Sequence, residues 1–356
     1  MEGEVECHFG QPAAASTGPC EFWVFVLDQR RYQWGVLTRK RLDELPALGL
    51  PLHLALGVFD GIHVGHQAVI ARAVAAAARS GGLAGVLTFD PHPVRALAPE
   101  RAPASLFATL DQKARIMGSL GIGLFIPLHF DAAMAAMAAA DFMQQLQLAP
   151  LRTLVVGEDW RFGRGRLGDV DFMRECALRD GFVVEVVPPV MVDGERVSST
   201  RIRQAIRDGS LDAAARMLGR SYSVCGCVIE GRKLGRRLGF PTANIAIHDV
   251  ITPPDGVWAV RVGIDAGDAV PGIANLGVRP TVDGSNRILE VHIFDFSGDL
   301  YGREINIEFV SFLRAEMRFA SLDALRDQIQ QDVYQARLVH GTGPGLTHLA
   351  PGRTHS

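Results

Sequence analysis

The sequence predicts two units in series: a doubly wound α/β domain on a parallel sheet, then a mainly antiparallel β unit, barrel or sandwich, with one terminal helix. Three observations carry this. The chain has 356 residues, enough for two domains at roughly 100–200 residues each. From Leu52 onward, short apolar runs alternate with helical stretches, the order of a parallel sheet covered on both faces. After Arg220 the texture changes to segments rich in Val, Ile and aromatics, separated by Gly, Pro and Asp.

In the first unit, strands are expected at Leu54–Val58, Leu83–Thr88, Ile122–Leu128, Thr153–Gly157 and Phe182–Val187. Helices are expected over the alanine-rich Gln67–Ser80, stopped by Gly81-Gly82, and over Ala132–Leu148, Val170–Arg179, Ser198–Asp208 and Leu211–Leu218. In the second unit the apolar segments are Tyr222–Ile229, Val257–Val262, Gly272–Leu276, Ile288–Phe296 and Ile305–Phe312. A helix over about Ser321–Arg337 follows, with Ser321 as N-cap ahead of Leu322, Leu325 and Ile329. The expected division is an extension over 1–41, partly disordered, domains over 42–218 and 219–338, and a flexible tail over 339–356.

Composition excludes several classes. A formal net charge of −3 speaks against bulk nucleic-acid binding, which needs a basic excess. The five cysteines (Cys7, Cys20, Cys176, Cys225 and Cys227) show neither zinc spacing nor a disulfide framework. Cys225 and Cys227 are expected to share a strand face as small buried residues. No run reaches the ~18 apolar residues that cross a membrane. A cytoplasmic protein, monomeric or weakly homo-oligomeric, with neither nucleic-acid nor membrane partners, is the expectation.

Chemistry concentrates where strands end. Gly57 to His66 joins the first strand to a helix start, with Gly57, Phe59, Asp60 and Gly65 in a turn able to bring backbone N–H groups to phosphate. His63 and His66, three apart, point the same way on a helical turn and can stabilise charge on a transferring phosphoryl group. Alone, the segment is equally a Gly-rich turn with incidental histidines, or a metal pair short of a third ligand. A second segment, Ser198-Ser199-Thr200-Arg201-Ile202-Arg203, offers capping hydroxyls and arginines to a polyphosphate. A third, Gly157-Glu158-Asp159-Trp160-Arg161-Phe162, offers aromatics to a flat ring and arginines to phosphate. Phe89-Asp90-Pro91-His92 ends another strand, where ligands of open α/β sheets gather.

The second unit carries its own set. Gly231, Gly235 and Gly239 recur every four residues among Arg232, Lys233, Arg236 and Arg237, a pattern suited to a mobile flap over polyphosphate. The segment ends in Thr242-Ala243-Asn244, whose oxygens suit Mg²⁺. Leu289-Glu290-Val291-His292-Ile293 alternates with period two, so Glu290 projects opposite to the apolar residues and can accept a hydroxyl proton.

Together these segments resemble the bacterial bifunctional riboflavin kinase/FAD synthetase family. The likeness runs from about Leu42 to Ala336 through G-x-F-D-G-x-H-x-G-H, T-F-D-P-H-P, S-S-T-x-I-R, G-R-x-L-G-F-P-T-A-N, A-N-L-G-x-R-P-T and L-E-V-H. The resemblance implies a nucleotidylyltransferase domain followed by a riboflavin kinase β-barrel. It implies phosphorylation of riboflavin by ATP to FMN in the second unit. In the first it implies transfer of AMP from ATP to FMN, giving FAD and pyrophosphate. ATP, riboflavin, FMN and FAD are thus the small-molecule partners, with Mg²⁺ accompanying ATP.

By that resemblance His63 and His66 stabilise the ATP phosphates, assisted by Gly57, Phe59, Asp60 and Gly65, with Ser199, Thr200 and Arg203 opposite. Asp159, Phe162 and His92 help hold ATP and flavin. In the kinase, Gly231, Gly235 and Arg236 cover ATP, Thr242 and Asn244 bind Mg-ATP, Glu290 is the general base, and Asn275 and Arg279 lie near the flavin. Asp159 stands where the family often has Asn, and Trp160 where it often has Phe. Residues 1 to about 38 precede the matched stretch. No methionine lies between Met1 and Met117, so a shorter natural product would start at a non-Met codon. Mass spectrometry of the native N-terminal peptide checks this; a peptide starting at Met1 or Glu2 contradicts it.

Overall fold

The computed structural model describes residues 32–342 apart from 34, 108, 232–233, 248, 265–266 and 282–283; at 32–33, 279–281 and 284–286 the backbone alone is described. Cys7, Cys20, Arg232, Lys233, the side chain of Arg279 and most of the expected tail lie outside the described residues.

The first half is a seven-stranded sheet. Its strands are β1 (Tyr32–Gln33), β2 (Val36–Thr38), β3 (Leu52–Leu56), β4 (Leu83–Asp90), β5 (Leu124–His129), β6 (Leu151–Gly157) and β7 (Val183–Val187), ordered β1-β2-β5-β4-β3-β6-β7. All neighbours are parallel except the β1–β2 pair. From β3 the chain steps outward to β4 and β5, then returns to place β6 on the other side of β3. The order therefore reverses between β3 and β6, and ligands of open α/β sheets bind at such a reversal, beyond the carboxyl ends of the strands.

Two helical layers cover the sheet. Val64–Ser80 buries Val69, Ile70, Ala73, Ala76 and Ala77, and these small side chains bring the helix close to the strands. Leu110–Ser119 joins the same hydrophobic cluster through Ala114 and Met117. The opposite cluster holds Phe142, Met143 and Leu146 of helix Ala139–Gln147 and Met173 and Cys176 of helix Val170–Asp180.

Several expectations need correction. The helix expected over Ala132–Leu148 is two, Ala132–Ala136 and Ala139–Gln147. Met137 between them is extended (φ −65°, ψ 128°), and its carbonyl accepts from Arg164 N at 2.7 Å. Leu110–Ser119 is a further helix, capped by Thr109, that the sequence pattern does not announce. Val36 and Leu37, inside the stretch read as an extension, are fully buried in β2 against β5. Three residues are too short a run to reveal periodicity.

A helical hairpin, Ser199–Arg207 and Leu211–Leu218, leads into the second half. After the small hairpin strands β8 (Met191–Val192) and β9 (Glu195–Arg196), the remaining strands are β10 (Ser223–Ile229), β11 (Ala243–Ile247), β12 (Gly256–Ile264), β13 (Val270–Thr281), β14 (Gly284–Ile293) and β15 (Glu304–Arg314). These six close an antiparallel barrel, β10-β11-β14-β13-β12-β15. Along β14, Leu289, Val291 and Ile293 are buried while Glu290 and His292 are partly open, the expected alternation. β11 continues directly from the glycine-rich segment, where the sequence pattern announces no strand. Cys225 is buried but Cys227 is exposed, so the pair does not share a buried face. The terminal helix Leu322–Val339 is capped by Ser321, whose Oγ accepts from Ala324 N at 3.1 Å. Leu322 is exposed; Ala336 instead packs on the barrel with Val257, Ala259, Ile273 and Phe294.

One cluster spans both halves. It joins Ile202, Ile206, Met217 and Leu218 of the helical hairpin to Trp258, Val260, Leu289 and Ile307 of the barrel. Trp258 is 1% exposed and its Nε1 donates to Pro254 O at 3.0 Å. Burying a large apolar side chain contributes about 1.5–3 kcal/mol, so this seam is part of the stability of each half.

Candidate active sites

The first cavity, about 1040 Å³, opens at the β3–β6 reversal. The loop leaving β3 supplies Gly57, Phe59, His63, Gly65 and His66 to its wall, the loop after β4 supplies His92, and the loop after β6 supplies Asp159, Trp160 and Phe162. Three parallel strands ending on one side place these sequence-distant segments together.

His63 is the N-cap of helix Val64–Ser80, and its Nδ1 accepts from His66 N at 3.2 Å. Because Nδ1 is an acceptor, a neutral His63 carries its proton on Nε2, which is then a donor. The two imidazoles stack with centroids 3.6 Å apart and planes 14° from parallel. Gly65 permits this stack, since a Cβ there would sit 3.1 Å from His63 Cε1. Burial pushes the pKa of His63 down to about 4, and that of His66 well down too, with neighbouring His63 and Lys113 adding to the effect. Two stacked neutral rings at a helix N-terminus can donate to an anion without first repelling each other.

Other expected ligands are committed inward. Asp60 is buried and ion-paired with Arg203, which also donates from Nε to Ala104 O at 2.7 Å. Asp60 Oδ1 further accepts from Leu106 N at 3.3 Å. Neither Asp60 nor Arg203 is on the cavity wall, and their contacts brace the loop behind it. Charge alone had suggested a ligand, but a buried carboxylate demands a partner. Thr200 is exposed and off the cavity wall, whereas Ser199 lines it while its Oγ donates to Asp60 O at 2.8 Å. Asp159 lines the cavity and pairs with Arg196 at 2.6 Å. Phe162 is mostly core, packed on Phe142 and Phe172 with centroids 5.6 and 6.2 Å away. Phe89 and Trp160 present near-parallel rings to the cavity, 4° apart in plane.

Two residues escaped the sequence reading. Lys113 is buried, and its Nζ donates to Val58 O at 2.8 Å and Thr88 Oγ1 at 3.0 Å; burial lowers its pKa to about 8. Arg196, on β9, lines the cavity. Lys113 sits in no glycine-rich or hydroxyl-rich segment; Arg196 stands just ahead of Ser198-Ser199-Thr200, whose hydroxyls could have drawn attention to it.

The barrel carries two adjoining cavities. One, about 360 Å³, is lined by Gly235, Phe240, Thr242, Asn244, Asn275, Glu290, His292 and the Arg314–Asp332 pair. The other, about 560 Å³, is lined by Arg236, Thr242 and the segment Phe296–Tyr301. Thr242 belongs to both walls. Asn244 on β11 stands directly opposite Glu290 on β14, and Asn275 on β13 opposite Glu290 from the other side. His292 Nδ1 donates to Pro241 O at 2.8 Å, which ties the strand to the loop before Thr242. Asn275 Nδ2 donates to Glu316 at 3.3 Å.

Gly231 and Gly235 are close-approach positions. A Cβ on Gly231 would lie 2.3 Å from Asn244 Nδ2, and one on Gly235 would lie 2.4 Å from Phe240 O. The segment between them and Thr242 includes the short helix Leu234–Arg237. Their spacing had suggested mobility; packing against Asn244 and Phe240 is the observed reason for glycine.

Among the described residues, no group of three or more His, Cys, Asp and Glu could hold a metal ion, and no helix is long and apolar enough to cross a membrane. The hydroxyl, amide and carboxylate oxygens of Thr242, Asn244 and Glu290 are hard donors, the chemistry that a divalent cation brought in with a nucleotide prefers.

A family model described as FAD synthetase matches residues 50–201, and one described as riboflavin kinase matches residues 218–340. The bifunctional riboflavin kinase/FMN adenylyltransferase of Pseudomonas fluorescens is 43% identical over 285 residues, 79% of this chain and 91% of that protein. Its namesake in Escherichia coli K12 is 38% identical over 290 residues, 81% of this chain and 92% of that protein. A crystal structure described as a macrolide-efflux protein of Streptococcus pneumoniae covers 85% of this chain and 98% of its own, with a TM-score of 0.73 and 30% identity.

Proposed function

The chain belongs to the bifunctional riboflavin kinase/FMN adenylyltransferase family, and we propose that its two reactions are divided between the cavities as follows. FAD synthesis belongs to the N-terminal region and riboflavin phosphorylation to the C-terminal region.

In the first cavity an oxygen of the FMN phosphate attacks the α-phosphorus of ATP, and the bond to pyrophosphate breaks. His63 donates from Nε2, and His66 beside it, to phosphate oxygens as charge builds. The N-terminus of helix Val64–Ser80 adds partial positive charge. Arg196 and Asp159 line the same cavity as the histidine loop, and Phe89, Trp160 and Phe162 offer apolar surface to the flavin ring. Asp60, Ser199 and Arg203 hold the loop itself.

In the barrel, riboflavin occupies the cavity lined by Glu290, and ATP occupies the one lined by Arg236. Glu290 takes the proton of the ribityl 5′-hydroxyl as the hydroxyl oxygen attacks the γ-phosphorus of ATP, and the bond from that phosphorus to ADP breaks. Thr242 and Asn244 hold the polyphosphate end between them. Mg²⁺ bound there with ATP would neutralise phosphate charge. Gly231 and Gly235 let the covering loop close against Asn244 and Phe240, while Asn275 and Arg279 lie on the strand bordering the flavin.

The observation that supports this division is the position of Thr242. It stands in the wall common to two cavities, two residues from Asn244, itself paired across the sheet with Glu290. In this reading the hydroxyl held in one cavity meets the γ-phosphate held in the other at that wall. Domains over 42–218 and 219–338, a cytoplasmic location and a monomeric or weakly self-associating chain complete the reading. The test is a time course with riboflavin, ATP and Mg²⁺, flavins resolved by chromatography. FMN should appear before FAD; a variant at Glu290 should make FAD only from supplied FMN, and a variant at His66 should stop at FMN. Loss of both activities in either folded variant would overturn the division.

A further inference from the structure

The loop Val58–Ile62 turns its carbonyls into the protein. Val58 O accepts from Lys113 Nζ and from Thr88 Oγ1, both at 2.8 Å, and Asp60 O accepts from Ser199 Oγ at 2.8 Å. Ile62 O accepts from Gln67 Nε2 at 2.9 Å. These donors all belong to the sheet and its helices. The remaining donor does not. Arg220 gives Nη2 to Gly61 O at 2.8 Å and Nη1 to Ile62 O at 3.1 Å and Leu218 O at 3.2 Å. It lies just after helix Leu211–Leu218, three residues before β10, and its guanidinium sits 5.8 Å from the Phe107 ring centroid.

We propose that Arg220, carried by the segment that enters the kinase barrel, is a positioning residue for adenylyl transfer, fixing Gly61-Ile62 and through them His63 and His66. This rests on the reading of the His63–His66 loop as the adenylyl-transfer site.

Gly61 and Ile62 both have positive φ, 87° and 41°. A β-branched residue in the left-handed region is strained and persists only where its surroundings over-determine it. Arg220 supplies that restraint: a planar guanidinium grips two consecutive carbonyls at once, which no single-donor side chain does. Burial lowers its pKa to about 10, so the charge is kept at neutral pH and the bonds are charge-assisted. Gly219, at φ 69°, turns the chain so that the fork faces the loop, and Gln67 holds Leu218 O at 2.7 Å from the helix His63 caps. The next residue along, His63, is the N-cap whose ring stacks on His66. Relaxing Ile62 therefore moves the donor pair, and a misplacement of about 1 Å can cost about 100-fold in rate.

The experiment measures both activities of the full chain in Arg220→Ala, Arg220→Lys and His66→Asn, with Arg220→Ala assayed also in millimolar guanidinium. Expected for Arg220→Ala is a fall of about 100-fold in kcat for FAD formation from FMN, a smaller change in KM for ATP and an unchanged rate of riboflavin phosphorylation. Arg220→Lys should be intermediate, and added guanidinium should restore part of kcat in the alanine variant while leaving the wild type unaffected. Wild-type kcat in Arg220→Ala, an equal fall of both activities, or failure of both lysine and guanidinium to rescue would overturn the proposal. If Arg220→Ala does not accumulate folded, Arg220→Lys decides, and an unchanged kcat overturns it. If His66→Asn still makes FAD, the loop reading has failed; if it does not while Arg220→Ala turns over normally, only the role of Arg220 has.

Discussion

The two candidate sites are built by opposite means. In the barrel, Glu290 and Asn244 sit on paired strands, so the ladder that makes the fold also sets their spacing. At the sheet, His63 and His66 follow a loop with three positive-φ residues or glycines in a row of four, Phe59, Gly61 and Ile62 around Asp60. That loop is held by partners from elsewhere, among them Lys113, Ser199, Arg203 and Arg220. A strand-borne site inherits its precision from regular hydrogen bonding, whereas a loop-borne site needs buried polar anchors. Damage at a distance should therefore reach the adenylyl-transfer site more readily than the kinase site.

The largest effects sharpen that contrast at the reacting groups. Glu290→Gln should lower FMN formation by about 100- to 10,000-fold and leave FAD formation from FMN intact. His66→Asn should lower FAD formation by about 100- to 1,000-fold and leave FMN formation intact. Separate steady-state assays of each step check both.

Next comes the loop's buried pair. Arg203→Met strands the Asp60 carboxylate and should cost about 3–5 kcal/mol, read by urea denaturation. The double change Arg203→Met with Asp60→Leu should recover part of it, and a double as unstable as the single would remove the pair from the account. Gly231→Ala, by contrast, presses on Asn244 within the barrel. It should slow the kinase by about tenfold, an ordinary overpacking cost of 1–3 kcal/mol, without touching FAD formation.

The smallest effect is graded with pH. Folded His63 has its pKa lowered to about 4 by burial, against an ordinary value of about 6.5 when unfolded. Below that value the unfolded chain binds a proton the folded chain refuses, so stability falls as pH drops from 6.5 towards 4 and is recovered above. His63→Gln should flatten that part of the Tm–pH profile. An unchanged slope would mean His63 is charged when folded.

The same contrast decides what the sequence disclosed. The alternation Leu289–Ile293 exposed Glu290 because period two is written into a strand, and the parallel sheet was legible from apolar runs between helices. The His63–His66 loop was visible through its glycines and its position after a strand. Its supports were not. That Arg203 and Asp60 pair with each other is not legible, because nothing local distinguishes a solvent-facing charge from a buried one 143 residues from its partner. Lys113 lies in a helix that the sequence pattern does not announce, and Arg220 belongs to no motif. The break at Met137 was hidden for a similar reason: a loop residue, Arg164, claims the carbonyl that would continue the helix.

The shared cluster at the helical hairpin bears on inheritance. Two catalysts acting on successive substrates could in principle be encoded apart. Here Ile202, Ile206, Met217 and Leu218 lie in one core with Trp258 and Val260. A gene split at their junction would leave each product with an oily wound in place of a clean surface. Recombination that trades one half for a foreign counterpart would have to match that seam.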